Sequence, residues 1–419
     1  MAGSPALPSF AGYRPGSSGY RRVSVALFAG GLATFAELYA TQAVLTELAH
    51  EFDLSPSASA LSLSTATLGI GIGLIVIGPL TESLGRTLLM RTSLVASGVI
   101  GICCALAPNW PILLGLRFLQ GAALAGFAAV AVAYLREELD AAHHGRATGL
   151  YVGGTAIGGM IGRLVSGSVA DAAGWRWGVA AVAGLGVACG VVVLLVLPAS
   201  RGFRPSTGGL HAAWSRTRAV GSDPGLLLIY AVAATVMGGF VATYNALGFR
   251  LTTSPYLLGV GVASLVFLTY ALGSVGSSVA GTLADRLSRR VVLPLCIVIA
   301  LVGLLLTLAQ PLLVVVAGVA LQTVGFFATH SVASAWTAAR AELLAGAPGQ
   351  AASLYLLAYY LGSTVFGTLS GVAWSRGGWD LVVVVVSALF VVALACSLAM
   401  RRVPSLRDRQ RVPDLTLGH

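Results

Sequence analysis

Gly78-Pro79-Leu80-Thr81-Glu82-Ser83-Leu84-Gly85-Arg86 stands in a charged gap between two apolar runs, and Gly281-Thr282-Leu283-Ala284-Asp285-Arg286-Leu287-Ser288-Arg289-Arg290 stands in another. Both read Gly-x-Leu-x-acid with Arg one turn on, and from Gly78 to Gly281 is 203 positions. The echo continues outside these gaps. Leu119-Gln120 precedes Leu321-Gln322 by 202 positions, Leu150-Tyr151 precedes Leu354-Tyr355 by 204, and Gly174-Trp175 precedes Gly378-Trp379 by 204. A nearly constant offset over half the chain marks a duplication, so the fold is expected to consist of two similar halves.

Composition sets the solvent of those halves. With 419 residues, 57% hydrophobic and 10% charged, the chain lacks the polar surface of a water-soluble domain, in which roughly a quarter of residues are charged. A spanning helix needs about 20 apolar residues, and twelve runs qualify: 23–45, 58–80, 87–107, 111–135, 147–169, 178–197, 225–247, 257–279, 291–309, 312–336, 351–374 and 381–400. All 25 basic residues are Arg, and 20 of them fall in tails and gaps on one side of this alternation; the opposite loops hold Arg176, Arg250 and Arg376. Short cytoplasmic loops are rich in Lys and Arg, so both termini are expected in the cytoplasm. The net charge of +10 then reflects topology, and no nucleic-acid partner is expected. Cys103, Cys104, Cys189, Cys296 and Cys396 lie inside apolar runs without metal-ligand spacing, which reads as packing, not a metal site. Arg21-Arg22 lead into a run too long for a cleavable signal, so the first helix is expected to stay as an anchor. The expected architecture is an all-α polytopic membrane protein of twelve transmembrane helices. It comprises a cytoplasmic tail (1–22), a six-helix bundle (23–200), a cytoplasmic linker (201–224), a second six-helix bundle (225–402) and a cytoplasmic tail (403–419).

Ionisable groups inside the runs are few, and a charge in the bilayer marks a functional site by default. Glu37 is the only carboxylate deep in any run. At about 1.5 Å rise per residue it lies roughly 21 Å above the cytoplasmic end, the level that Arg117 reaches from the fourth run. Loss of water favours the neutral acid and a nearby guanidinium the ionised one, so the pair could carry a coupling proton competing with a cationic or neutral cargo. A permanent structural ion pair is the alternative. Arg163, roughly 24 Å up the fifth run, could snorkel to the outer interface or face the outer mouth of a cavity and attract anionic groups. His330 could titrate and bind substrate, or pack as a neutral hydrogen-bonded imidazole. Tyr39, Gln42, Gln120, Tyr244, Asn245, Tyr355 and Tyr359 are expected to line the same cavity, where aromatic and amide groups suit an amphipathic organic ligand; interfacial Tyr belts compete with that reading. Gly154, Gly158, Gly162 and Gly167 are expected to let helices pack closely. No paired acids, Ser/His/Asp set or phosphate-binding loop occurs, so the chain is not expected to be an enzyme.

The duplicated gap resembles the cytoplasmic loop between helices 2 and 3, and its repeat between helices 8 and 9, of the major facilitator superfamily of transporters. The resemblance extends from about Phe28 to Met400. It implies a conformational latch formed by Gly78, Glu82, Arg86, Gly281, Asp285, Arg286 and Arg290, which joins the halves on the cytoplasmic side when the cavity faces outward. Glu82 would address the helix start near 349–351 and Asp285 the one near 146–148, at helix N-termini that favour negative charge, and the three Arg would hold those carboxylates. The chain departs from the usual pattern at Glu82 (Asp), Ser83 (Arg) and Ser288 (Gly). Taken singly, either gap also reads as a solvated turn. Arg117-Phe118-Leu119-Gln120-Gly121 is similar to the superfamily's proton-coupling motif on helix 4. Gly149, Gly158, Gly162-Arg163 and Ser166-Gly167 resemble its antiporter signature, with Arg163 where Pro is expected and Ser166 where Gly is. Stretches such as 35–45 and 350–379 look like bacterial inner-membrane efflux permeases of the acriflavine-sensitivity and arabinose-efflux-like groups. This implies a monomer exporting small organic compounds, with a proton as coupling ion, no other cofactor, and the substrate and the bilayer as its partners. A symporter or facilitator of the same fold, and a polytopic enzyme or sensor, are the alternatives.

Overall fold

The computed structural model describes residues 12–202, 210–404 and 406, with side chains except at 78–84 and 210–213. Its helices are α1 (Ser18–Leu38), α2 (Leu45–Glu51), α3 (Pro56–Leu84), α4 (Arg86–Ala105), α5 (Trp110–Glu138), α6 (His144–Ala173), α7 (Trp175–Val196), α8 (Leu210–Ser222), α9 (Pro224–Thr252), α10 (Val260–Ser264), α11 (Tyr270–Leu287), α12 (Arg289–Leu306), α13 (Leu312–Ala345) and α14 (Pro348–Ala399). Ten helical segments among the described residues are long and apolar enough to cross a membrane. Their starts are written in local chemistry. Ser55, Asn109 and Asp223 each accept a backbone N–H of the first turn of α3, α5 and α9, with Pro inside that turn, where its missing N–H costs nothing.

Two features separate ten segments from the twelve expected runs. The Gly-rich α6, with Arg163, is not among the ten. The 52-residue α14 loses helical geometry at Gly377 and Gly378, so it comprises two helical runs that meet at that bend. Equivalent sharp joints occur at Gly85 between α3 and α4, Gly174 between α6 and α7, and Ser288 between α11 and α12, all at positive φ.

The usual inside and outside are exchanged. Leu313 is 81% and Leu195 74% exposed, whereas Arg117 is fully buried. Such a surface is stable against lipid and not against water. Close backbone packing then holds the helices. A Cβ on Gly154, Gly158 or Gly162 would lie 2.6, 2.2 or 2.5 Å from the carbonyl oxygens of Phe28, Leu32 and Ala36, so these glycines form the seam between α6 and α1. The second half repeats the device, with Gly362 of α14 against the Ala234 carbonyl of α9. Gly167 serves elsewhere, against Ser264 of α10.

Candidate functional site

A cavity of about 440 Å³ lies between α1 and α6 on one side and α9, α11, α13 and α14 on the other. Its walls carry aromatic rings, among them Tyr39, Phe240, Tyr270 and Tyr359, and hydroxyls from Ser274, Ser277 and Ser278 on α11 and Ser331 and Ser334 on α13. Phe240 stacks on Phe326 with centroids 3.8 Å apart. His330 lines the cavity and its Nδ1 is 2.9 Å from the Tyr355 hydroxyl. Tyr355 therefore stands behind the wall, as does Tyr244, whose hydroxyl bonds to Thr269 and Thr323 at 2.7 Å each. The sequence pointed to neither Phe240 nor the serines, because apolar and small residues in an apolar run carry no signal.

One end of the cavity is closed by polar contacts across the molecule. Arg163 Nε donates to Gln42 Oε1 at 2.6 Å, Gln42 Nε2 donates to Asn245 Oδ1 at 2.7 Å, and Asn245 Nδ2 donates to the Gly367 carbonyl at 3.1 Å. Beside this row, Ser64 and Thr67 of α3 bond to Thr368 and Thr364 of α14 at 2.8 and 2.9 Å. Towards the opposite end, Gly149 and Ser278 line the cavity and are exposed. The Arg163 guanidinium does not snorkel. It is 1% exposed, donates to the Gly159 carbonyl, and lies over the rings of Tyr39, Tyr270 and Phe267, 4.0, 4.6 and 5.1 Å from their centroids. Gln42 and Asn245 thus form the closed end instead of lining the wall.

Glu37 points away from the cavity, towards α7. A Cβ on Gly186 would lie 1.6 Å from Glu37 Oε1, so that glycine vacates the space the carboxyl fills. Arg117 does not pair with the carboxylate directly. It donates to the backbone carbonyls of Glu37 at 3.0 Å and of Leu38, and to that of Ser62 at 3.0 Å. Those first two carbonyls belong to the last turn of α1, where intrahelical donors run out and the Glu37 carbonyl keeps a 3.3 Å bond from the Ala40 amide; Arg117 supplies further donors and the favourable charge. Gln120 links the two charges, accepting from Arg117 Nη1 and donating to Glu37 Oε2 at 3.3 Å. Glu37 Oε1 has no hydrogen-bond partner among the described residues. Gln120 therefore belongs to this buried array and not to the cavity wall.

No hydrogen bond or ion pair joins Asp285, Arg286 or Arg290 to the first half among the described residues. The side chains of Gly78 and Glu82 lie outside the described residues. Arg86 forms a two-toothed pair with Glu137 of α5, closest at 2.8 Å. Asp285 is exposed and makes no ion pair among the described residues, and neither does Arg286. Arg290 donates to the carbonyls of Arg401 and Val403, and Gly281 has open space about its Cα. An interaction absent from the sequence reading lies nearby. Asp223 caps α9 and pairs with Arg340 of α13 at 2.6 and 2.9 Å. Burial pushes its carboxyl up, yet the Arg340 hydrogen bonds and the Leu226 amide outweigh that and hold it below the ordinary carboxylate range.

A family model described as Major Facilitator Superfamily matches residues 27–274. The inner membrane transport protein YnfM of Escherichia coli (strain K12) is 40% identical over 387 residues, 92% of each chain. The uncharacterized MFS-type transporter YybF of Bacillus subtilis (strain 168) is 36% identical over 402 residues, 96% of this chain and 99% of that one. Among solved structures, a bacterial homologue of the human lysosomal transporter Spinster, in an inward-facing and unoccupied conformation, superposes with a TM-score of 0.77 at 16% identity, covering 96% of this chain and 100% of that one.

Proposed function

The chain belongs to the major facilitator superfamily, and from that membership we propose a proton-coupled exporter of small amphipathic organic compounds, working by alternating access in a bacterial inner membrane. It is a multi-pass membrane transporter and not an enzyme. In the proposed topology α6 and the two parts of α14 complete twelve spans. Residues 23–200 and 225–402 form the two bundles, 201–224 links them, and both termini lie in the cytoplasm with the 20 Arg of that side. The proton is the only cofactor in this scheme, and the working unit is a monomer.

The observation that carries the reading is the one-ended cavity, closed by Gln42 and Asn245 and open where Gly149 and Ser278 stand. With the proposed topology the open end faces the cytoplasm. Asp285, exposed and without an ion pair among the described residues, accords with that state, since a latch on the open side has nothing to hold.

Coupling is assigned to Glu37. Its carboxyl is buried, one oxygen is unpartnered, and Gln120 ties it to Arg117, which holds the end of α1. Tyr39 and Gln42, just beyond that end, touch Arg163 at the cavity. Gain or loss of the proton at Glu37 can thus bias the position of α1 and, through it, the closed end. Everted vesicles and proteoliposomes carrying a cargo found by a thermal-shift screen test this. Glu37→Gln should abolish accumulation driven by an imposed pH difference yet keep downhill exchange, because the amide imitates the protonated acid. Undiminished uphill accumulation by the variant moves coupling elsewhere, with His330 next. Accumulation in intact cells instead of everted vesicles makes the protein an importer.

A further inference from the structure

The cavity has an unbalanced charge. Among the described residues Arg163 is the only charged one that lines it, and no Asp or Glu does. The guanidinium makes no ion pair there either. A guanidinium taken from water is costly unless partnered. Here its positive charge meets only the Gln42 and Gly159 oxygens and three ring faces. Nε and Nη1 are committed to those oxygens, whereas Nη2 has no hydrogen-bond partner among the described residues. The side chain is 1% exposed, and Arg163 lines the cavity.

We propose that the cargo is an organic anion with a flat aromatic body, its carboxylate or an equivalent acidic group seated on the Nη2 edge of Arg163. The inference rests on the transporter reading above and narrows it. Charge-assisted bonds from a guanidinium to a carboxylate are among the strongest available to a side chain, and they gain from the burial of the Arg163 side chain. The body of the ligand lies along Phe240, Tyr270, Phe326 and Tyr359, where offset and edge contacts with rings are available. Hydroxyls of Ser274, Ser277 and Ser331 can receive polar substituents nearer the mouth. The cavity size falls in the range that encloses small organic ligands. A cation would meet like charge at Arg163 with no acid among the described lining residues to offset it, so a cationic cargo is set aside. The same contact reaches the closed end. The guanidinium that holds the anion also holds Gln42, which in turn holds Asn245, so an anion drawing on Arg163 acts on the row that joins the two sides.

Three ligands of one shape decide the matter: 1-naphthoate, 1-naphthamide and 1-naphthylmethylammonium, titrated by calorimetry into the full-length protein in nanodiscs without any gradient. Naphthoate should bind about 10- to 100-fold more tightly than naphthamide, the span expected for a charge-assisted over a neutral contact, and the ammonium should bind most weakly. Arg163→Gln should bring naphthoate and naphthamide within about twofold, and Arg163→Lys should keep the order. Equal affinities on the parent protein, tightest binding of the ammonium, no binding of naphthoate, or a naphthoate preference that survives Arg163→Gln each overturn the proposal. The parent comparison needs no variant to fold. Because it involves no gradient, it can fail while proton-driven export by the Glu37 scheme stands, and the reverse.

Discussion

Ser288 holds φ at 99° and ψ at 138°, where Gly85 in the first half holds 81° and 146°. A side chain in that region costs of order 1–3 kcal/mol, offset only in part by the Ser288 hydroxyl accepting from the Arg290 amide. Ser288→Gly should therefore raise stability by about 1 kcal/mol, read as a higher thermal unfolding temperature in detergent; an unchanged or lower temperature refutes the strain. The resemblance to the superfamily loop had marked this position as a departure from Gly, and the structure supplies the physical meaning. At Glu37 the sequence was informative in a different way. A lone acid in an apolar run is conspicuous, and the depth of Arg117 followed from helical rise. Its partner did not, because rise fixes height but not the direction a side chain takes around its helix. The stop of α1 at Leu38 was also invisible within a continuous run, and that stop supplies the carbonyls Arg117 binds. Gly186, which makes room for the Glu37 carboxyl, lies on another helix and had no mark of its own.

At the scale of elements, the apolar runs and the glycine spacing in α6 were legible because each is periodic within one segment. Contacts between segments were not. Asp223 and Arg340 are 117 positions apart, and each sits at a helix end where a charge is ordinary. Their pair fixes the start of α9 to α13. The folded Asp223 is held below its ordinary value of about 3.9, so its contribution is fully present above that pH and is lost as pH falls through the folded value. Asp223→Asn keeps a capping side chain but leaves Arg340 with no acid, and should cost roughly 3–5 kcal/mol near neutrality. Melting between pH 3 and 6 checks the sign. The parent should gain stability as pH rises through the acid range and the variant should gain less; parallel curves would remove the pair from the stability of this joint.

For the whole molecule, the duplication leads one to expect two similar halves, and the seams of α1 with α6 and of α9 with α14 share one packing device. What the sequence could not foretell is which end stands closed, since both arrangements use one set of helices and differ only in contacts between them. Gln42→Cys with Asn245→Cys, in a background without other cysteines, should be joined by a short bis-methanethiosulfonate. The joined protein should keep cargo binding but lose transport until reductant is added. Transport that persists after joining would mean that this end never opens. Gln42 and Asn245 have a further property, for they are 203 positions apart, the same offset that separates Gly78 from Gly281. At that offset each is the other's counterpart, and in two bundles related by the duplication their contact would lie on the axis between them. In an ancestral pair of identical chains this position would have faced itself, as residues on the dyad of a symmetric dimer do. A charge there would repel its twin and a purely donating group would find no acceptor. A carboxamide both donates and accepts, so it can be its own partner, and after gene fusion one copy could drift to Gln and the other to Asn without the bond being lost.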